Sequence, residues 1–499
     1  MPFSQCLSTL LGCDVTRALF CLLLTFLPLG LGAAVTDLEQ RINGVFDAAS
    51  LGDGARLGYV LVDAASGEAL AAINADVPMK PASTTKLYTI ATLLHHVEPT
   101  HRFATLLETD AELEADGTLA GDLIVRGGGD PSLGPRFGGD VDAVFREWAT
   151  ELKRYGITRI AGDVVGDDSY FADDRWGEGW YPAERAEYYM AEISALSFND
   201  NCIDLTVAAD GEPGGTAVLQ TVAPETDFYR IESNVKIVEA GTSTGNPDLK
   251  RDEQQRTITA HGKLAAGESR TRWAAIDDPA HYAAHVLRET LIAEGIAVDG
   301  AARSAHRAPG HAQPNPPAAH VLYRHVSRPV SDQMVVVLAN SQNLYAETMG
   351  RHAAIAAGKP STFRGATEAI AEYVESEGLL HDGFALFDTS GLSSLNRVPP
   401  RMTADLLLRV NEWGLNGNLL KDSLDKAGVR GTMRGRLTDM APRLRGKTGK
   451  LGDTDAFAGY LATSSGREYI VVVMIDLAEG DSQKTVDDIL RATDAALAD

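Results

Sequence analysis

Three short motifs follow one another along the chain: Ser83-Thr84-Thr85-Lys86, Ser341-Gln342-Asn343 and Lys447-Thr448-Gly449. Each carries residue types suited to acyl transfer. A serine hydroxyl is a poor nucleophile until a base takes its proton. A lysine three residues further along a helix shares the serine's face, and it serves as that base where burial or a nearby cation lowers its pKa. At a helix start, free N–H groups and the helix dipole favour the negative charge that develops at Ser83. In the second motif, alternate residues of a tight loop can direct two polar groups into one cleft. Ser341 would relay a proton to a leaving amine and Asn343 would hold a substrate amide, the plain structural alternative being a helix cap. The third motif stands directly before a hairpin, where an edge strand can pair with an extended peptide. Lys447 and Thr448 would meet a carboxylate, and Gly449 would let the two backbones come close. Ser-x-x-Lys alone arises about twice by chance in a chain this long, whereas a given three-residue string arises about once in several thousand residues. The information lies in the order of the three.

The elements around these motifs can be read from apolar periodicity. Residues 57–64 read as a buried strand and 68–73 as its hairpin partner, with Ser66-Gly67 as the turn. Ser83–His96 reads as a helix, with Leu87, Ile90, Ala91 and Leu94 at helical spacing. From about 104 to 270 the texture changes to a β-rich insert, with strands over 122–125, 157–165, 203–208, 216–222, 234–238 and 256–261 among Gly- and Asp-rich turns. Residues 278–296 predict an amphipathic helix, 305–319 a Pro-rich surface connection, and 329–358 and 366–377 further helix. The C-terminal segment predicts a hairpin, 455–463 and 468–475. A closing helix at about 482–497 has one apolar face to cover a sheet.

At 499 residues, two or three domains are expected. The formal charge of −24 argues against a nucleic-acid partner, which needs clustered Lys and Arg. Arg17, the apolar run Ala18–Leu31 and the small residues Gly32, Ala33 and Ala34 read as a secretory signal peptide over residues 1–34. The run is too short for a good membrane span, so no transmembrane segment is expected after its removal. Cys6, Cys13 and Cys21 lie in that segment, and Leu11-Gly12-Cys13 precedes the apolar run, the wrong side for a lipoprotein site. Cys202 alone remains, read as a small buried hydrophobe.

In this order the three motifs resemble the signature of penicillin-binding proteins and serine β-lactamases. Gly127–Leu133 (GGGDPSL), Asp167–Phe171 (DDSYF), Ser341–Glu347 (SQNLYAE) and Asp388–Ser393 (DTSGLS) extend the likeness over the whole mature chain. They resemble the class C low-molecular-mass penicillin-binding proteins, which are D-alanyl-D-alanine carboxypeptidases/endopeptidases. In that family a large insert of two small domains separates the first two motifs; class A β-lactamases have none. The resemblance implies an α/β (α+β) penicillin-binding/serine β-lactamase-like transpeptidase domain over 35–103 and 272–499, with the insert over 104–271. Ser83 would be acylated by the penultimate D-Ala carbonyl, with Lys86 as general base. Ser341 and Asn343 would complete the proton network and Lys447 would assist it electrostatically. The N–H groups of Ser83 and Lys450 would form the oxyanion hole, while Thr448, Gly449 and Lys450 border the substrate. Asp167 matches an acid that relatives use for the stem-peptide side chain; its plain alternative is a solvated turn acid. The implied partners are peptidoglycan stem peptides and covalently bound β-lactams, with no cofactor or metal, and the implied location is the periplasm or cell envelope. Three positions depart from the pattern: Gln342 where Asp is usual, Lys450 where Thr or Ser is usual, and Ser394 where many relatives have an Arg, which Arg397 would have to replace.

Other patterns carry less. Gly241–Gly245 matches a nucleophile elbow, but Asn246-Pro247 follows in place of a helix. His95-His96 lack metal-ligand spacing. Trp176, Trp180 and Tyr181 read as packing more readily than as a peptidoglycan groove. A β-lactamase and a non-catalytic peptidoglycan-binding module stay open as alternatives. The first lacks an assignable deacylating Glu; the second would have lost Ser83 or Lys86.

Overall fold

The computed structural model describes residues 29–308 and 313–498. The expected signal peptide lies outside the described residues except for its end, which falls in a helix over Leu29–Ala48. Among the described residues no helix is long and apolar enough to cross a membrane.

The centre of the molecule is a six-stranded antiparallel sheet that joins the two ends of the chain. The N-terminal hairpin (Arg56–Asp63, Ala69–Ile73) lies beside the C-terminal one (Thr454–Ala462, Glu468–Asp476), with Arg56 opposite Asp476 and Asp63 opposite Tyr469. Both faces are covered, so these strands are apolar at nearly every position. Tyr59, Leu61, Val471, Val473 and Ile475 face the helices at the two termini. Val60, Val62, Ile470, Val472 and Met474 face a helical layer that includes Thr85–His96, Asn343–Ala356 and Pro400–Asn411. Each fully buried Val or Leu side chain contributes roughly 1.5–3 kcal/mol.

At the far edge stands Leu444–Leu451, the strand of the third motif. Its outer neighbour is only Asp425–Lys426, paired with Arg445 and Gly446. Among the described residues no strand lies beside its outer edge from Lys447 onward, which leaves a free edge next to the helix Thr85–His96.

The insert has its own core. A mixed five-stranded sheet takes Ala302–Ala305, Val164–Asp167, Leu123–Arg126, Ala104–Thr109 and His320–Val326 in that order, and two three-stranded sheets occupy 202–275. Three sequence expectations change here. A helix over Ala143–Tyr155 buries Phe145, Trp148, Ala149 and Leu152, a 3.6-residue stripe inside a region read as β-type throughout. The single strand expected over 157–165 is two, Arg159–Ile160 and Val164–Asp167, in different sheets. The break falls at Gly162, where a Cβ would stand 2.3 Å from Asp122 Oδ1. Finally, the boundary expected at 271 falls inside the strand Ser269–Ala275. The helix Pro279–Ala293 and the strands on both sides of the Pro-rich segment pack with this second core. Amphipathic periodicity shows that a face is buried, not what buries it.

Cys202 is buried and free. Gly241 sits in an open left-handed turn at φ +78°, and the next element is the strand Asp248–Asp252, not a helix.

Candidate active site

Ser83 lies in a single 3₁₀ turn, Ala82–Thr84, that leads into the helix Thr85–His96. The preceding Ala82 is left-handed at φ +45°, a strained conformation for a residue with a Cβ. Two glycines allow neighbouring chain to close around this turn. A Cβ on Gly391 would stand 1.9 Å from Ala82 O, and one on Gly449 3.1 Å from Ser83 N. The free edge strand therefore passes directly beside the nucleophile's N–H.

Lys86 is fully buried beneath Ser83. Its Nζ lies 3.0 Å from Ser83 Oγ, 2.7 Å from Asn343 Oδ1 and 2.6 Å from Ser390 O. The Asn343 amide is oriented by its other end, because Nδ2 donates to Tyr189 O at 2.9 Å. Two of the three partners of Nζ can thus only accept. A neutral lysine has two N–H donors and one lone pair. With both donors committed, the lone pair is left for the hydroxyl proton of Ser83. Burial lowers the Lys86 pKa to about 7, against the opposing pull of Asp388 and Glu347, so the base form is well populated at neutral pH.

Ser390 is held from behind. Glu347 accepts from the N–H groups of Thr389 and Ser390, and burial, with Asp388 nearby, raises its pKa. Asp388 accepts from Gly391 N, Ser393 N, Asn396 Nδ2 and Trp180 Nε1. Both carboxylates position the carbonyl that Lys86 meets.

Lys447 is also fully buried, and its Nζ donates to Thr448 O. Burial, with Lys86 nearby, pushes its pKa well down. The Thr448 hydroxyl meets that of Thr432, which in turn donates to Asp425. Ser341 is left-handed at φ +59°, and Gln342 caps the following helix by accepting from Leu344 N.

Above these groups opens a cleft of about 650 Å³, lined by Ser83, Ser341, Asn343, Thr448, Gly449 and Lys450, with Lys86 and Lys447 buried under its floor. Asp167 is not brought to it. That carboxylate is buried in the insert, where it accepts from Arg126 at 2.8 Å and from Ser169 N, so it is neither in the cleft nor a solvated turn acid. Arg397 donates to the carbonyls of Ser394 and Asn396 and is not part of the lining. Residues without a motif supply much of the wall: Tyr181, Glu184, Tyr188, Tyr189, Thr432 and Arg436. Trp180 packs in a small core below with Trp176 against it, as the packing reading expected, whereas Tyr181 lines the cleft.

A serine at a helix start, a buried lysine 3.0 Å from its hydroxyl, and a Lys-Thr-Gly edge strand define a serine hydrolase of the penicillin-binding type. The sequence profile of the D-Ala-D-Ala carboxypeptidase 3 (S13) family matches residues 39–497, and the chain belongs to that family. It is 28% identical over 453 residues to the D-alanyl-D-alanine carboxypeptidase of Actinomadura sp. (strain R39), covering 87% of this chain and 80% of that protein. It is 26% identical over 461 residues to D-alanyl-D-alanine carboxypeptidase DacB of Haemophilus influenzae, covering 90% of this chain and 89% of that one. The crystal structure of penicillin binding protein 4 (dacB) from Haemophilus influenzae superposes with a TM-score of 0.77 at 23% identity, over 93% of this chain and 99% of that chain. A second structure of it, complexed with a β-lactam, gives a TM-score of 0.72 at 22% identity, over the same shares of both chains. The fold expected from the motifs is therefore the one found.

Proposed function

We propose that the chain hydrolyses D-alanyl-D-alanine bonds of peptidoglycan stem peptides, as carboxypeptidase and endopeptidase, through an ester on Ser83. Lys86 takes the hydroxyl proton as Ser83 Oγ attacks the penultimate D-Ala carbonyl. The N–H groups of Ser83 and Lys450 hold the oxyanion. Collapse breaks the C–N bond, and the proton passes through Lys86 and Ser341 to the leaving amine. Water then adds to the ester, and Oγ recovers its proton. Thr448 and Thr432 receive the substrate carboxylate with Lys447 behind them, and Gly449 admits the peptide to the edge strand. The observation that carries this reading is the fully buried Lys86 Nζ, 3.0 Å from Ser83 Oγ, with its two other partners both acceptors.

For the stem side chain, Glu184 is the better-placed acid. It lines the cleft, and Tyr189 Oη donates to it at 3.1 Å. The inserted unit is read as residues 104–326 on its strand pairing. The N-terminal signal pattern supports export to the periplasm or cell envelope.

Incubation of the mature protein and a Ser83→Ala variant with fluorescent penicillin tests the reading. A covalent band from the wild type alone is expected. No band from the wild type would overturn it, and a band lost within seconds would mark a β-lactamase.

A further inference from the structure

Beside the catalytic cleft lies a second depression of about 340 Å³, lined by Trp273, Tyr188, Arg136, Asn199, Asp204 and Asn340 among others. Tyr188 and Asn340 also line the catalytic cleft, so the two adjoin. We propose that this depression is a sugar subsite, which receives an N-acetylated amino sugar of the glycan strand from which the stem peptide hangs. The choice of ligand rests on the proposed hydrolysis of stem peptides.

The case begins with Trp273. It stands in a strand of the insert, opposite Asp204, and is 46% exposed. Tyr188, 41% exposed, meets it edge to face with ring centroids 5.9 Å apart. Two large aromatic rings left in water beside a catalytic cleft are costly unless something covers them. Their surroundings are polar, unlike those of an apolar docking surface. A pyranose fits that combination, since its C–H face packs on an aromatic ring while its rim of hydroxyl and amide groups needs donors and acceptors.

Those donors and acceptors are in place. The side-chain amide of Asn340 has no hydrogen-bond partner among the described residues. Asn199 Nδ2 donates to one oxygen of Asp204 at 3.1 Å, which fixes that carboxyl and leaves the other oxygen for a ligand. Arg136 and Asp200 neutralise each other at one side. The turn that carries Asn199 and Asp200 is left-handed at three consecutive residues, Asn199, Asp200 and Asn201, with φ of 48°, 54° and 56°. Such conformations persist where the surroundings over-determine them, and they collect at ligand sites. The volume is that of a small-ligand site.

The test compares two substrates and two variants. The disaccharide N-acetylglucosaminyl-N-acetylmuramic acid is titrated onto the full mature protein by saturation-transfer NMR, and release of D-Ala is measured from the free pentapeptide and from the disaccharide-linked pentapeptide. The wild type is expected to give ring-proton signals and a KM about tenfold lower for the linked substrate. Trp273→Ala is expected to lose the signals and the difference in KM, and Trp273→Phe to restore part of both; penicillin labelling of each variant reports whether Ser83 is still assembled. Absence of disaccharide signals from the wild type, or a difference in KM that survives in Trp273→Ala, overturns the subsite. A wild type that takes no penicillin overturns the hydrolytic reading instead, and the disaccharide titration still decides the subsite.

Discussion

Asn343 is bonded at both ends: Nδ2 donates to the Tyr189 carbonyl at 2.9 Å, and Oδ1 accepts from Lys86 at 2.7 Å. The insert thus fixes the amide that holds Lys86, the proposed base. An Asn343→Asp carboxylate would repel the Tyr189 carbonyl and hold the Lys86 ammonium. Acylation by fluorescent penicillin at pH 7 is expected to fall by about 10²-fold, the scale of a proton-transfer contribution, and its rise with pH to move upward. Asn343→Ala should lose rate without that upward movement, so the pH profile separates aiming from bulk.

Burial holds the Lys86 pKa at about 7. The base works unprotonated, so the wild-type acylation rate should climb with pH and reach half its plateau near that value. An unshifted lysine would still be climbing at pH 10. The same depression works against folding: the native state resists the proton that the unfolded chain accepts, so the penalty is whole below about pH 7 and fades as pH rises toward the ordinary lysine value. Rapid-mixing acylation rates across pH 5–10 check the first effect, and Lys86→Met should abolish acylation throughout.

Two left-handed glycines should respond differently to a methyl group. At Gly391, φ +84°, an added Cβ meets Ala82 O at 1.9 Å. Gly391→Ala must push the nucleophile turn aside, and labelling is expected to disappear with a lowered Tm. At Gly241, φ +78°, nothing lies within 4 Å. Gly241→Ala carries only the backbone strain, about 1–2 kcal/mol, and should label normally.

The contrast shows how much was legible in the sequence. Ser83, Lys86, Ser341, Asn343, Lys447 and Gly449 could be named as candidates because acyl transfer demands those residue types in that order, and the structure gathers them at one cleft and under its floor. The free edge at Lys447 followed from a hairpin at the chain's end. Asn343's partner was not legible: it is a main-chain carbonyl 154 residues away, and a carbonyl has no residue-type signature. The helix Ala143–Tyr155 had a clean 3.6-residue stripe, yet the Gly- and Asp-rich turns around it set the reading of the whole region. The strands Ala302–Ala305 and His320–Val326 close the insert's sheet from either side of the Pro-rich segment, and such long-range pairing leaves no local trace.

Asp167 and Glu184 test the same boundary experimentally. Asp167 is bound by Arg126, which also grips Glu108 and the carbonyls of Asn315 and Pro316. It ties the Pro-rich segment to the insert and does not reach the cleft. Asp167→Asn removes one of the two carboxylates that Arg126 bonds and weakens its charge-assisted hydrogen bond, so a loss of roughly 1–3 kcal/mol is expected, seen as a lower Tm with KM unchanged. Glu184 is exposed on the cleft wall. Glu184→Gln should raise KM severalfold for stem peptides with a free side-chain amine, with little change in kcat, in Tm or in the rate of penicillin acylation, since a rim charge contributes to binding and not to the chemistry. The reverse pattern, KM moved by Asp167→Asn and untouched by Glu184→Gln, would return the side-chain subsite to the residue that motif matching selected.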